Sequence, residues 1–214
     1  MQMGTCDVEK DAAMLPRAEF VNDDEAAPDA RGLWLVGDVD AEQMEIAKRI
    51  VAYNCADAGL PYEERAPIRL YINSGGGDAD VMWALVDCIA VSETPIYTIN
   101  MGMAGSAAAV IFMAGHQRMV MPHATFMFHK GCCEAVGGTY AQMFSTMQAL
   151  KADDKRQCEF ILNFSRITGD EYEQLFQNDW YIDADEAIKY GVADEIVETI
   201  NQICLYNLRD EPRF

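Results

Sequence analysis

Histidine is scarce in this chain: 214 residues contain three, His116, His123 and His129. Basic side chains are scarce as well, 16 Lys+Arg against 35 Asp+Glu, for a formal net charge of −19. That deficit sets phosphate backbones and anionic membrane surfaces against the chain, so neither nucleic acid nor membrane is an expected partner. No uncharged run reaches transmembrane length, and the N-terminus lacks the basic and apolar regions of a signal peptide. The seven cysteines, Cys6, Cys55, Cys88, Cys132, Cys133, Cys158 and Cys204, are odd in number and form no C-x-x-C pair. They are expected as reduced thiols in a cytoplasm, without a disulfide framework or a zinc site. The glycine-rich stretch lacks both a Walker lysine and G-x-G-x-x-G spacing, which removes the usual nucleotide cradles. Nothing calls for a cofactor. There is no internal repeat and no low-complexity segment.

Half the residues are hydrophobic, and the length suits one α/β domain with a sizeable core. Residues 1–31 are acidic and polar, and are expected as a flexible N-terminal arm. A strand at Gly32–Gly37 precedes Asp40-Ala41-Glu42-Gln43, a capping box opening a helix with Met44, Ala47, Ile50 and Val51 on one face. A second strand, Ile68–Ile72, enters the turn Asn73-Ser74-Gly75-Gly76-Gly77-Asp78. A helix carrying Val81, Met82, Leu85, Val86 and Ile89 follows. A third strand, Pro95–Asn100, leads through a small-residue turn, Gly102–Gly105, to Ser106 and an uncharged helix from Ala107 to Ala114. Met119–Met121 and Thr125–Phe128 are apolar strands flanking Pro122-His123-Ala124, and the second ends at His129. Cys132–Val136 is irregular. After Gly137-Gly138 a long helix is predicted over Thr139–Ile167, and a short one over Glu171–Phe176. Asn178–Ile182 enters a short strand, Asp183–Ala187 opens another helix ended by Gly191, and Val192–Val197 forms a last strand. The tail from Asn201 is polar. This βα alternation predicts a mainly parallel sheet.

Ser106 lies between a strand end and a helix start, where unpaired backbone N–H groups can stabilise an oxyanion. A simple helix cap satisfies the same residues. A serine nucleophile needs a base and a group to orient it. His116 in its polar turn is expected to be a solvated surface residue and His123 a turn residue. His129 ends an apolar strand, where it is either a base or a hydrogen-bonded core histidine. Asp179, between a short helix and Trp180-Tyr181, is the distinctive acid, or else an ordinary loop carboxylate. Spacing alone leaves this trio open.

Four segments, in one order, resemble the caseinolytic peptidase (ClpP) family. Leu70-Tyr71-Ile72-Asn73-Ser74-Gly75-Gly76-Gly77 is similar to its Leu-Tyr-Ile-Asn-Ser-Pro-Gly-Gly segment, and Gly102–Ala109 to its nucleophile turn. Pro122–His129 resembles its histidine strand, and Asp179–Asp194 its aspartate segment. The likeness runs from about Gly32 to Val197. It implies a ClpP/crotonase-type α/β fold of βα superhelical repeats, with a mainly parallel sheet, a protruding handle helix and a peptidase domain over 32–200. Residues 201–214 would be a C-terminal tail. It further implies Ser106 as nucleophile, His129 as general base and acid, Asp179 as its orienting partner, and the backbone N–H groups of Gly77 and Ala107 as oxyanion donors. Gly75, Gly76 and Gly131 would border an extended peptide substrate. Heptameric rings, as a pair in a tetradecamer, and an AAA+ unfoldase ATPase partner follow from the same likeness.

The chain departs from the pattern where Gly75 replaces a proline, which should loosen the turn. The Gly115–Arg118 turn is shortened, and Lys130-Gly131-Cys132-Cys133 follows the histidine in place of Gln-Pro. These departures resemble the phage or prophage ClpP-like proteases associated with head maturation. Two alternatives stand beside the serine endopeptidase: a catalytically weak structural or regulatory subunit, and a crotonase-like enzyme polarising an acyl-CoA thioester. A serine–lysine dyad using Lys130 is disfavoured, because strand alternation turns neighbouring residues to opposite faces.

Overall fold

The computed structural model describes residues 31–131 and 137–204. The expected arm up to residue 30, the stretch 132–136 and the tail beyond 204 lie outside the described residues. Strands β1 (Gly32–Val39), β2 (Ile68–Gly77), β3 (Ile96–Gly105), β4 (Gln117–Val120) and β7 (Glu195–Ile196) run parallel, in the spatial order β1-β2-β3-β4-β7. Strand β5 (Thr125–Phe128) is parallel to the far half of β3, and β6 (Trp180–Ile182) is antiparallel to β5. The expected α/β architecture with a mainly parallel sheet is therefore present.

Alternation along the strands explains the layers. Ile68, Leu70 and Ile72 of β2 are fully buried on one face, beneath α1 (Met44–Asp57), α2 (Ala79–Ala90) and α3 (Ala107–Met113). Helix α1 turns Ile46, Ala47 and Ile50 inward, and α2 turns Met82, Leu85, Val86 and Ile89 inward. All seven residues of α3 are buried, which suits an uncharged helix at the centre of the core. The other sheet face carries a smaller cluster of Tyr71, Ile99, Met119, Val197 and Ile203. Arg31 closes the first layer at its edge by pairing with the buried Asp57, whose carboxylate also accepts from Thr94. The Arg31 guanidinium holds that carboxyl below its ordinary range.

Helix α4 (Tyr140–Phe164) starts at a Thr139/Gln142 capping box and extends for 25 residues, of which only Gln157 and Ile161 are buried. It is the protruding helix. It stops short of Ile167 because Ser165 leaves the helical region (φ −140°) and donates its hydroxyl to the Ile161 carbonyl. Helices α5 (Gly169–Leu175) and α6 (Ala184–Lys189) also begin at capping boxes, set by Thr168/Glu171 and Asp183/Glu186. The last strand shrinks from Val192–Val197 to two residues, since the Val192 and Ala193 N–H groups finish α6 on the Ala187 carbonyl. Arg118 ties this corner together through Asp194 and the carbonyls of Phe164 and Gly191. Among the described residues, no helix is long and apolar enough to cross a membrane.

The sheet forks at β3. Up to Asn100, β3 pairs with β4; from Met103 to Gly105 it pairs with β5. Asn100 is fully buried at the branch. Its carbonyl accepts from Met121, its amide donates to the Thr125 carbonyl, and its Oδ1 accepts from Gly102. The expected turn over Gly102–Gly105 is thus strand, and so is most of the glycine turn, because β2 stays paired with β1 as far as Gly77. Glycine permits this: β1 and β2 shift register near Gly76, where a bulge takes up the irregularity.

Candidate active site

Two strand ends and one helix start meet beyond the fork. The Ser106 N–H donates to the Met127 carbonyl at 2.7 Å, prolonging the β3–β5 ladder by one bond. Two residues past Met127 the same strand delivers His129. Its Nε2 lies 2.7 Å from Ser106 Oγ, a full hydrogen bond between two half-buried side chains. Ser106 has φ 50° and ψ −120°, and is the one non-glycine residue with positive φ among the described residues. Such a conformation costs about 1–3 kcal/mol and has to be held by its surroundings. Here the ladder bond on one side and the rigid α3 on the other hold it. Ser106 stands at the N-cap of α3, yet its hydroxyl makes no capping bond. The hydroxyl is turned to the histidine instead.

The glycine strand supplies the floor. Gly76 has φ +108°, and a Cβ there would stand 2.7 Å from both Ser106 Cβ and the Gly105 carbonyl oxygen, and 3.0 Å from Ala107 N. Gly77, with φ +154°, is pressed against Val39, whose carbonyl oxygen would lie 2.3 Å from an added Cβ. Both close approaches demand glycine. Gly75 differs: nothing lies within 4 Å of its would-be Cβ and its φ is not positive. It lies inside β2, and next to it Ser74 Oγ accepts the Gly76 N–H at 3.1 Å. Gly131 is exposed with open space around it. As the first residue of α3, Ala107 has an N–H without an intrahelical acceptor, beside the serine.

Asp179 sits in an exposed position just before β6. The β5–β6 pairing runs Phe126↔Ile182, Met127↔Tyr181 and Phe128↔Trp180, so the next register position sets Asp179 opposite His129. Among the described residues no hydrogen bond or ion pair joins its carboxylate to the ring. The structure therefore brings Ser106 and His129 into contact and leaves Asp179 across the strand from them. His123 lies in an exposed turn. His116 is exposed too, but it is not simply solvated: its Nδ1 accepts the Ile96 N–H at 2.9 Å, and partial burial lowers its pKa. Lys130 turns away from the serine to Glu173, 3.0 Å from its carboxylate, over the Tyr172 ring; Glu173 holds it above the ordinary lysine range. Among the described residues, no group of three or more His, Cys, Asp or Glu side chains is arranged to hold a metal ion.

Two residues that position this site carry little signal in sequence. Asn100 sets the fork, and only its presence inside an apolar strand, where asparagine is unfavoured, hints at a special role. Gln157, a buried amide on α4, donates to the His129 carbonyl at 3.4 Å. In the sequence it is one polar residue of a mostly polar helix.

The chain is similar to several known proteins. The ATP-dependent Clp protease proteolytic subunit 2 of Treponema denticola is 27% identical over 194 residues, covering 85% of this chain and 91% of that protein. The subunit of the same designation from Prochlorococcus marinus is 31% identical over 138 residues, covering 61% of this chain and 66% of that protein. A mutant of ClpP1 from Listeria monocytogenes superposes with a TM-score of 0.70 at 20% identity, over 82% of this chain and 96% of that one, a likeness of fold. The sequence profile of the Clp protease family matches residues 29–200, a span that takes in the fork, the glycine strand, Ser106, His129 and Asp179, and on that match the chain belongs to the Clp protease family.

Proposed function

We propose that the chain is a serine endopeptidase in which Ser106 is the nucleophile and His129 the general base and acid. The observation that carries this reading is the 2.7 Å contact between His129 Nε2 and the hydroxyl of a backbone-strained serine. Ser106 Oγ attacks the scissile carbonyl as Nε2 takes its proton. The tetrahedral oxyanion is met by the N–H groups of Gly77 and Ala107. Collapse expels the amine, which receives the proton from Nε2, and leaves an acyl-serine. Water, deprotonated by the same nitrogen, then releases the acid and restores the hydroxyl. Asp179 accepts the Nδ1–H when the β5–β6 edge draws together, fixing the tautomer that keeps Nε2 free to accept. Gly75, Gly76 and Gly131 border the extended peptide. The hydrolysis needs neither ATP nor a cofactor.

The chamber belongs to the same reading. Tyr140, Met143, Phe144 and Met147 recur at helical spacing along the exposed part of α4 and form an exposed apolar stripe without cover among the described residues. We assign it to contact between copies, giving rings, heptameric and paired in a tetradecamer, that sequester the active site. An AAA+ unfoldase would feed such a chamber, in Clp-type proteolysis or in phage head maturation. One observation favours a second reading, a catalytically weak structural or regulatory subunit: the unengaged carboxylate of Asp179. A fluorophosphonate probe followed by intact mass decides between them. One adduct, absent from Ser106→Ala, is expected; an assembled, folded protein that takes up no probe would establish the weak subunit.

A further inference from the structure

Charge around Ser106 is one-sided. From Leu70 to Gln117, the span that holds most of the glycine strand, α2, β3 and the serine, the sequence has no lysine or arginine, and from Gly32 to Ala47 it has none either. Carboxylates stand at the corner where β1 and β2 end. Asp38 is paired with Gly76 across the β1–β2 ladder, and Gly76 is the residue that presses on the Ser106 Cβ. Asp78 follows Gly77 directly, and its N–H donates to the Val39 carbonyl at 2.7 Å, which brings the two acids to the same corner. Asp38, Asp78 and Asp80 are exposed, and among the described residues none of them pairs with a basic side chain. Capping accounts for Asp78, whose Oδ1 accepts the Asp80 and Val81 N–H groups at the start of α2. It does not account for Asp38, which makes no side-chain hydrogen bond among the described residues. On the histidine strand, Lys130 has its charge met by Glu173 at 3.0 Å. No side chain at Gly75, Gly76 or Gly77 stands between this corner and the serine.

We propose that the active site selects cationic polypeptides, segments carrying lysine or arginine close to the scissile bond, and that Asp38 and Asp78 are the residues that select them. The inference rests on the peptidase reading, which places the scissile bond at Ser106, and adds the substrate class. An extended peptide advances ~3.3 Å per residue, so a side chain two or three residues from the scissile bond lies ~7–10 Å along from the serine. Asp38 is within that range: Gly76 touches Ser106, and the β1 strand lies ~5 Å beyond Gly76. A lysine or arginine arriving there meets carboxylates that have no cation of their own. A glutamate or aspartate meets like charge and is turned away. The formal net charge of −19 acts in the same direction at longer range, steering cationic chains toward the protein. Both effects belong to binding, and the bond-breaking steps stay with Ser106 and His129. Because the acids are exposed, their pull is screened by salt, over a Debye length of about 8 Å at physiological ionic strength.

The test compares two internally quenched peptides of equal length and identical apolar centre, one flanked by lysines and the other by glutamates. With the full-length protein, kcat/KM is expected to favour the lysine peptide about tenfold or more at low salt, and the ratio should shrink toward one between about 0.02 and about 0.5 M NaCl. Full-length Asp38→Asn/Asp78→Asn keeps a capping side chain on α2 and is expected to lose most of the preference and most of its salt dependence. Calorimetric binding of the same peptides to full-length Ser106→Ala, which cannot cleave them, should show the same order of affinity. A ratio near one in the unaltered protein at low salt, or an undiminished preference in the folded double variant, overturns the proposal. If the double variant does not fold, the salt dependence of the unaltered protein decides. A lysine preference in binding without hydrolysis of either peptide would overturn the peptidase reading and support the selection of cationic chains.

Discussion

Ser106 and Gly76 constrain one another closely. The serine occupies a backbone conformation that side chains avoid, and Gly76 touches it so closely that one added carbon would fall at 2.7 Å. Gly76→Ala is therefore expected to push the nucleophile out of line. A displacement of about 1 Å is enough to lower the acylation rate by roughly 10²-fold. Gly75→Ala places its methyl in open space, and should leave labelling intact with stability changed by less than about 1 kcal/mol. Parallel fluorophosphonate kinetics and urea unfolding of the two variants check the contrast. If both lose labelling equally, the contact of Gly76 with the serine is not what matters. The three adjacent glycines look alike in sequence. Their differences come from what lies across from each, Val39 for Gly77 and Ser106 for Gly76, and these neighbours are distant along the chain.

Among the elements, α4 buries only Gln157 and Ile161 of its 25 residues. Its capping box fixes where it starts, and the stripe at residues 140, 143, 144 and 147 is exposed and has no cover among the described residues. Phe144→Asp is expected to weaken self-association about tenfold or more, seen in sedimentation velocity, while the circular dichroism of the subunit is unchanged. An unaltered assembly would place the contact between copies elsewhere. The helix and its apolar residues could be read from sequence, since both follow from a local period. The ends of β2 and β3 could not: small residues were read as turns, whereas pairing with β1 and β5 makes them strand. Ile203 escaped for the opposite reason. A short polar tail with scattered apolar residues has no period, and the burial of Ile203 depends on a cluster assembled from β2, β3, β4 and Val197.

For the molecule as a whole, acid is the condition to which the fold is exposed through His116. The ring accepts the Ile96 N–H through Nδ1 and its pKa is lowered by burial, so the native state favours the neutral ring. As pH falls through about 6.5 the unfolded chain takes up a proton that the folded chain resists, and stability declines from there toward the lowered native pKa. The thermal midpoint should fall between pH 7.5 and pH 5.5, and His116→Gln should show a smaller fall over that interval. An equal fall in both would remove His116 from the account. Sequence shows the mainly parallel α/β architecture, with Ser106 at a helix start and His129 at the end of an apolar strand, but not the branch that lets the two meet. That branch has a consequence for how the sequence can change. Ser106 is counted six residues along one arm from Asn100, and His129 eight residues along the other from Met121, whose N–H that same asparagine receives. The two arms behave like a caliper zeroed on one amide. Substitutions along them can be absorbed, but a single inserted or deleted residue on either arm changes the gap between the jaws.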